Sequence, residues 1–121
     1  MVLVDTSVWV DHFRNKNAQL IYLLNKGDVF CHPFVIGEIA CGNVQNRVEI
    51  LSLLHSLPQS LTVDHEELLV FIEKNDMMGQ GIGYIDVSLL ASAILSGLTL
   101  WTLDKRLKTI AAEFNIAYKE K

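Results

Sequence analysis

The stretch that decides the fold is Val2-Leu3-Val4-Asp5-Thr6-Ser7-Val8-Trp9. Its apolar run, Val2–Val4, leads directly to a carboxylate, and an uninterrupted apolar run is typical of a strand buried on both faces. Asp5-Thr6-Ser7 then supplies helix-capping side chains, and the helix that follows carries Trp9 and Phe13 on one face. A second stretch repeats the pattern, since Leu98–Leu103 leads to Asp104 and a helix from Lys105 to Phe114.

Short apolar runs alternate with helical segments along the rest of the chain. The other candidate strands are Val29–Cys31, Leu61–Val63 and Ile116–Tyr118. Such alternation implies right-handed strand–helix–strand crossovers and a mainly parallel sheet covered on both sides. We therefore predict an α/β fold with a sheet of about five strands.

Length and composition limit the classes of protein that fit. A chain of 121 residues, half hydrophobic and a fifth charged, predicts a single folded domain over residues 1–121 and excludes a disordered or collagen-like chain. Ten basic and fourteen acidic residues give a net charge of −4, which excludes a uniformly basic coat for nucleic acid. A local site with metal ions remains able to attract phosphate.

The two cysteines, Cys31 and Cys41, are too few for a disulfide framework and fit a reducing compartment. No secretory signal opens the chain, because Asp5 interrupts the first apolar run. The longest uncharged run, Val87–Leu103, is shorter than the ~20 residues of a membrane-spanning helix and contains Ser96-Gly97. We expect a cytoplasmic protein with no membrane association.

Four carboxylates stand out. Asp5 and Asp104 each follow a predicted strand, and the carboxyl ends of parallel strands meet at one edge of the sheet. Glu38 interrupts a largely apolar helix, and Asp86 begins a helix whose next ten residues are Val, Ser, Leu, Ala or Ile. Each has a simpler interpretation on its own, as a helix cap for the three aspartates and as an exposed side chain for Glu38.

Taken together, the four carboxylates point to a metal site. No basic residue lies near Glu38 or Asp86 in sequence, and four converging negative charges need cations to offset their repulsion. Ligands that are all oxygen favour magnesium or manganese over zinc. A site of this kind supports phosphodiester hydrolysis, with two ions ~4 Å apart activating water and stabilising the leaving oxygen.

The ordered set of motifs resembles the PIN-domain nucleases, and among them the VapC-type toxins. It comprises Leu3–Trp9, Ile36-Gly37-Glu38-Ile39, Asp86 and Thr102-Leu103-Asp104, and it covers essentially the whole chain. The resemblance implies a three-layer α/β/α sandwich with Asp5, Glu38, Asp86 and Asp104 as the metal-binding quartet. It implies helper hydroxyls at Thr6 or Ser7 and at Thr102.

The resemblance also implies an activity and a partner. The implied activity is that of a metal-dependent endoribonuclease that cuts transfer or ribosomal RNA and leaves a 5′-phosphate. The implied partner is a cognate VapB-like antitoxin that inhibits it. A site with one metal ion and a site with two both remain possible.

Basic residues near the predicted site are candidates for holding RNA phosphates. They are Arg14, Lys105, Arg106 and Lys108. A solvated helix face explains them equally well. Setting aside four metal-bound carboxylates leaves ten acidic against ten basic residues, so the net charge does not oppose an RNA substrate.

Several alternatives stay open. Apolar helices around Phe34–Cys41 and Val48–Leu57 fit either a core or the interface of a homodimer. A nuclease of RNA processing without a toxin role, or a non-catalytic RNA- or protein-binding module, would show the same residues. A phosphotransfer protein is disfavoured, because Thr6 and Ser7 stand where a second acid would be needed.

Overall fold

The central strand of the sheet is the apolar run that opens the sequence. The computed structural model describes residues 1–120, so Lys121, the last residue of the predicted domain, lies outside the described residues. Strand β1 (Val2–Val4) pairs in parallel with β2 (Val29–Phe30) on one side and with β3 (Thr99–Trp101) on the other. In this register Leu3 lies between Phe30 and Leu100. All three residues of β1 are buried, as predicted for a strand covered on both faces.

Seven helices surround the sheet in the described part of the chain. They are α1 (Thr6–Asn15), α2 (Ala18–Asn25), α3 (Pro33–Cys41), α4 (Arg47–Ser56), α5 (His65–Lys74), α6 (Tyr84–Ser96) and α7 (Lys105–Glu113). The predicted α/β class and parallel pairing are confirmed. None of these helices is long and apolar enough to cross a membrane.

The predicted number of strands is wrong, because the described residues form three strands and not about five. At one edge, only Gln59 forms a bridge, to Cys31 beyond β2, and the predicted strand Leu61–Val63 is absent. The Leu61 amide instead donates to the Ser96 hydroxyl of α6 at 2.9 Å, so the chain leaves the sheet there. At the other edge, Ala117 alone of the predicted last strand bridges to Leu100 of β3.

The helices make two groups of contacts. Helix α3 contacts α1 and α4, whereas α5 contacts α6. The Phe71 ring of α5 stacks on Phe114 at the end of α7, with ring centroids 5.8 Å apart, which joins α7 to the second group. Right-handed crossovers predict that these two groups cover opposite faces of the sheet.

A buried histidine links the two helices that carry Glu38 and Asp86. The Nδ1 atom of His32 accepts a hydrogen bond from the Phe34 amide at 3.0 Å and so caps α3. This leaves the ring proton on Nε2, which lies 3.1 Å from the Ser92 hydroxyl of α6. Both His32 and Ser92 are buried. The pair fixes α3 against α6, and the histidine has to be neutral to do so.

His32 should make the stability of the fold depend on pH. Burial lowers the pKa of His32 to about 4 from an ordinary value of 6.5. Because the unfolded chain takes up a proton first as the pH falls, His32 should lower the free energy of unfolding by about 2 kcal/mol between pH 7.5 and pH 5. Urea denaturation at the two pH values measures this decrease. His32→Asn keeps a capping oxygen and should remove that part of the pH dependence, and an unchanged dependence in the variant would contradict the assignment.

Candidate active site

Asp5 is the most constrained carboxylate of the candidate site. It lies at the end of β1, where its backbone amide donates to the Trp101 carbonyl of β3 at 2.9 Å. Its side chain does not cap α1. Instead, Oδ2 accepts hydrogen bonds from the hydroxyls of Ser7, at 2.8 Å, and Thr102, at 2.7 Å. With 6% of its surface exposed, Asp5 is a buried carboxylate held in one orientation by neutral hydroxyl donors.

The hydroxyls around Asp5 also fix the start of α7. The Thr102 hydroxyl accepts from the Asp104 amide, and the Ser7 hydroxyl accepts from the Leu103 amide, both at 3.0 Å. Asp104 itself caps α7, because its Oδ1 accepts from the Leu107 amide at 3.0 Å. The simple capping interpretation therefore describes Asp104 and fails for Asp5.

Glu38 is tied to the beginning of α1. Its Oε1 accepts a hydrogen bond from the Thr6 hydroxyl at 2.6 Å, although both side chains reach solvent. The two neighbouring hydroxyls therefore serve different acids, with Thr6 holding Glu38 and Ser7 holding Asp5. Since Thr6 follows Asp5 in the chain, this bond brings Glu38 of α3 to the carboxyl edge of the sheet.

Asp86, in the first turn of α6, is the fourth carboxylate of the candidate site. The prediction that it begins a helix is wrong by two residues, because α6 begins at Tyr84 after the cap residue Gly83. Burial raises the pKa of the half-buried Asp86, and the negative charges of Asp5, Asp104 and Glu38 raise it further. A hydrogen bond with the Gly83 backbone acts in the other direction. The other three predicted carboxylates are thus close enough to Asp86 to oppose its ionisation.

No cationic side chain neutralises this group within residues 1–120. The one ion pair there, between Lys26 and Asp28 with nitrogen and oxygen 4.0 Å apart, is elsewhere. Oxygen-only ligands with mutual repulsion fit a hard divalent cation in chemical type. In the arrangement described, however, no three acidic, histidine or cysteine side chains of residues 1–120 lie close enough to surround an ion. Glu38 is drawn to Thr6 and Asp104 to its helix cap, so both side chains would have to turn inward on binding.

The four predicted phosphate-binding residues are all exposed but differ in their surroundings. Arg14 lines a cavity that also touches Thr6 and Glu38. Arg106 donates to the Gln80 carbonyl at 2.9 Å and packs over Gly81, where a Cβ atom would lie 2.7 Å from Nη1. Arg106 therefore holds the loop before α6 in place. Lys105 and Lys108 form no ion pair within the part of the chain described.

Two features of the site were missed from the sequence. One is the link between His32 and Ser92, whose members are sixty positions apart. His32 directly after a predicted strand was the only signal, and nothing in the sequence indicated its partner. The other is the cavity beside Thr6 and Glu38, which depends on the loop between α3 and α4.

Comparison with known proteins shows the family. The family model for the PIN domain matches residues 2–113. Ribonuclease VapC32 of Mycobacterium tuberculosis, in strains CDC 1551 / Oshkosh and ATCC 25618 / H37Rv, is 44% identical over 121 residues. The match covers 99% of this chain and 98% of each relative. With a family match over nearly its whole length and relatives this similar, the chain belongs to the PIN domain family.

Proposed function

We propose that this PIN-domain chain is a divalent-metal-dependent endoribonuclease and the toxin of a toxin–antitoxin pair. The observation that carries the chemistry is Asp86, whose pKa is raised by burial and by the other three carboxylates, with no cation nearby in the described residues. The RNA substrate is supported by the ribonucleases to which the chain is 44% identical. The toxin role is supported by the same likeness.

Each residue of the candidate site has a proposed role. Asp5, Asp86 and Asp104 bind one or two Mg²⁺ or Mn²⁺ ions, and Glu38 is either a further ligand or the group that orients the attacking water. When bound, the ions supply charge neutralisation for the scissile phosphate. Ser7 and Thr102 keep Asp5 oriented through its Oδ2, and Thr6 holds Glu38. Arg14, Lys105 and Lys108 attract RNA phosphates, whereas Arg106 acts mainly on the loop before α6.

The proposed reaction is an in-line displacement at phosphorus. A water oxygen oriented by Glu38 forms a bond to the phosphorus as the bond to the 3′-oxygen breaks. The water gives up one proton to solvent, and the leaving 3′-oxygen takes one up. The products are one fragment with a 3′-hydroxyl and one with a 5′-phosphate. Asp5 contributes a carboxylate in a fixed orientation, because two hydroxyl donors hold its Oδ2 before any substrate binds.

The proposal extends to partners and setting. A VapB-like antitoxin, transfer or ribosomal RNA as substrate, and a cytoplasmic location follow from the toxin role. The family match over residues 2–113 supports a single nuclease domain over 1–121 with the three-layer arrangement of its family. A homodimer is supported by apolar side chains that remain exposed on the predicted helices, such as Phe34, Val48 and Leu53.

RNA cleavage by the purified chain tests the proposed function. Transfer RNA and ribosomal RNA are incubated with the protein after chelation of metals, and then with Mg²⁺ or Mn²⁺ restored. We expect cleavage only after a divalent cation is restored, with 5′-phosphate ends on the products. Cleavage that persists in chelator would contradict the metal dependence. Absence of cleavage of any RNA by folded, metal-supplied protein would leave a binding module as the function.

A further inference from the structure

A cavity of about 530 Å³ opens directly beside the candidate active site. Thr6 and Glu38, joined by their 2.6 Å hydrogen bond, belong to both the site and the cavity wall. Helix α1 contributes Val10, Phe13 and Arg14, and the loop between α3 and α4 contributes residues 42–46. The volume lies within the range of pockets that bind small molecules. We refer to this cavity as the loop pocket.

The loop pocket combines an apolar wall with free polar groups. Phe13 and Val10 provide half-buried apolar surface on the side of α1. Asn43 and Gln45 are exposed, and within residues 1–120 their amide groups form no side-chain hydrogen bond. Arg14 likewise forms no ion pair in the part of the structure that is described. These groups are available to a ligand.

We propose that the loop pocket holds one unpaired RNA base next to the scissile phosphate and reads its edge with Asn43 and Gln45. The inference rests on the proposed ribonuclease function and adds a specificity site to it. Proteins recognise unpaired RNA bases with an aromatic or apolar surface for the ring face and with polar side chains for the base edge. An amide side chain both donates and accepts, so it matches the paired donors and acceptors of a base.

The position of the pocket favours a nucleotide over a protein segment. An RNA strand whose scissile phosphate lies at the four carboxylates can reach the loop pocket directly, because Thr6 and Glu38 border both the candidate site and the pocket. Arg14 on the wall offers a positive charge to the phosphate of the same nucleotide. A nucleotide would use these groups together, with its phosphate beside Arg14 and its base edge at the two amides.

The test is the base preference of the cleavage site. Short RNAs with a randomised central region are cut by the metal-supplied protein, and sequencing of the new ends gives the base frequencies on each side of the cut. We expect the wild type to prefer one base at one position, and the double variant Asn43→Ala/Gln45→Ala to lose roughly tenfold of that discrimination. Gln45→Glu, which replaces a donor with an acceptor, should shift the preference towards bases that present a donor.

The outcomes of this test distinguish the proposed base-binding role of the loop pocket from the proposed nuclease activity. Asn15→Ala, an exposed amide of α1 outside the pocket, is the control and should keep the wild-type preference. Circular dichroism confirms that each variant folds. A wild type that cuts without preference, or variants that cut with the wild-type preference, would overturn the pocket and leave the nuclease standing. The second result would show that residues outside the loop pocket set the base preference. A wild type that cuts no RNA would remove both proposals.

Discussion

Asp5→Asn is expected to lower the rate of RNA cleavage roughly a thousandfold or more, because ~4 kcal/mol of charge stabilisation is a typical contribution of a bound metal ion. The substitution removes the one carboxylate of the candidate site that is both buried and fixed by two hydroxyl donors. The other three acids differ in setting, since Glu38 and Asp104 are exposed and Asp86 is half-buried. Asp5 is therefore the acid whose loss the site can least replace.

The fold should tolerate Asp5→Asn. The asparagine oxygen can take the place of Oδ2 and accept from Ser7 and Thr102, which leaves the amide nitrogen on the side of Oδ1. That arrangement keeps the hydrogen bonds at the end of β1 but presents two N–H donors to a cation. The variant is thus expected to fold normally and to lose its affinity for Mn²⁺.

The measurement compares kcat/KM for RNA cleavage and the shift of the thermal midpoint on adding Mn²⁺. Asp28→Asn is the matched control, because it removes the same charge from the pair with Lys26 and leaves the candidate site intact. We expect the control to cut RNA like the wild type. An Asp5→Asn protein that cuts RNA within tenfold of the wild-type rate would contradict the role given to Asp5.

Local sequence patterns predicted the parts of the candidate site that local structure determines. Asp5 and Asp104 follow apolar runs, and the parallel pairing of β1 with β3 brings their strand ends together. The family resemblance left Thr6 and Ser7 as alternative helper hydroxyls. Only the path of α3 shows that one hydroxyl reaches Glu38 and the other reaches Asp5.

The errors in the predicted fold have local physical causes. The start of α6 was placed two residues late because Gly83 caps it without a side chain, so no capping residue marks the boundary. The edge strands were overestimated because a short apolar run is not sufficient to form a strand, either by burial or by pairing. Leu61, with 58% of its surface exposed, bonds to Ser96 of α6 and not to the sheet.

The loop pocket could not be predicted for a different reason. Its polar side chains lie in a loop whose last residue, Asn46, has a left-handed backbone with φ of 55°, a conformation that asparagine tolerates better than most residues. Asn43 and Gln45 line the same cavity as Phe13, which lies some thirty residues earlier in the chain. Composition and helical periodicity carry no information on which distant residues share a cavity.

Asp86→Asn is expected to change stability and activity in opposite directions. In the absence of metal, the variant should unfold at a temperature a few degrees above the wild type, where about 1 kcal/mol corresponds to roughly 4 °C in a domain of this size. The reason is that burial and the charges of Asp5, Asp104 and Glu38 all oppose ionisation of Asp86. Asparagine has no charge to desolvate or repel.

The pH dependence of this stability gain has a definite sign. The pKa of Asp86 is raised in the folded protein, so the unfolded chain releases the proton first as the pH rises. The wild type consequently loses stability as the pH rises through that range, and the variant does not. The gain should be present at pH 7 and disappear at acidic pH, where the carboxyl group is protonated in both states.

At neutral pH, a bound metal ion should reverse the order of stability of the wild type and Asp86→Asn. A cation that pairs with the carboxylates stabilises the wild type by mass action, whereas the variant has lost one ligand and part of the attracting charge. Thermal unfolding with chelator and then with Mn²⁺ measures both effects, and RNA cleavage measures the loss of activity, with Asp28→Asn again as the control. A variant less stable than the wild type in chelator would show that Asp86 stabilises the metal-free fold, contrary to the expected repulsion from the other three carboxylates. Equal stabilisation of both proteins by Mn²⁺ would exclude Asp86 as a ligand.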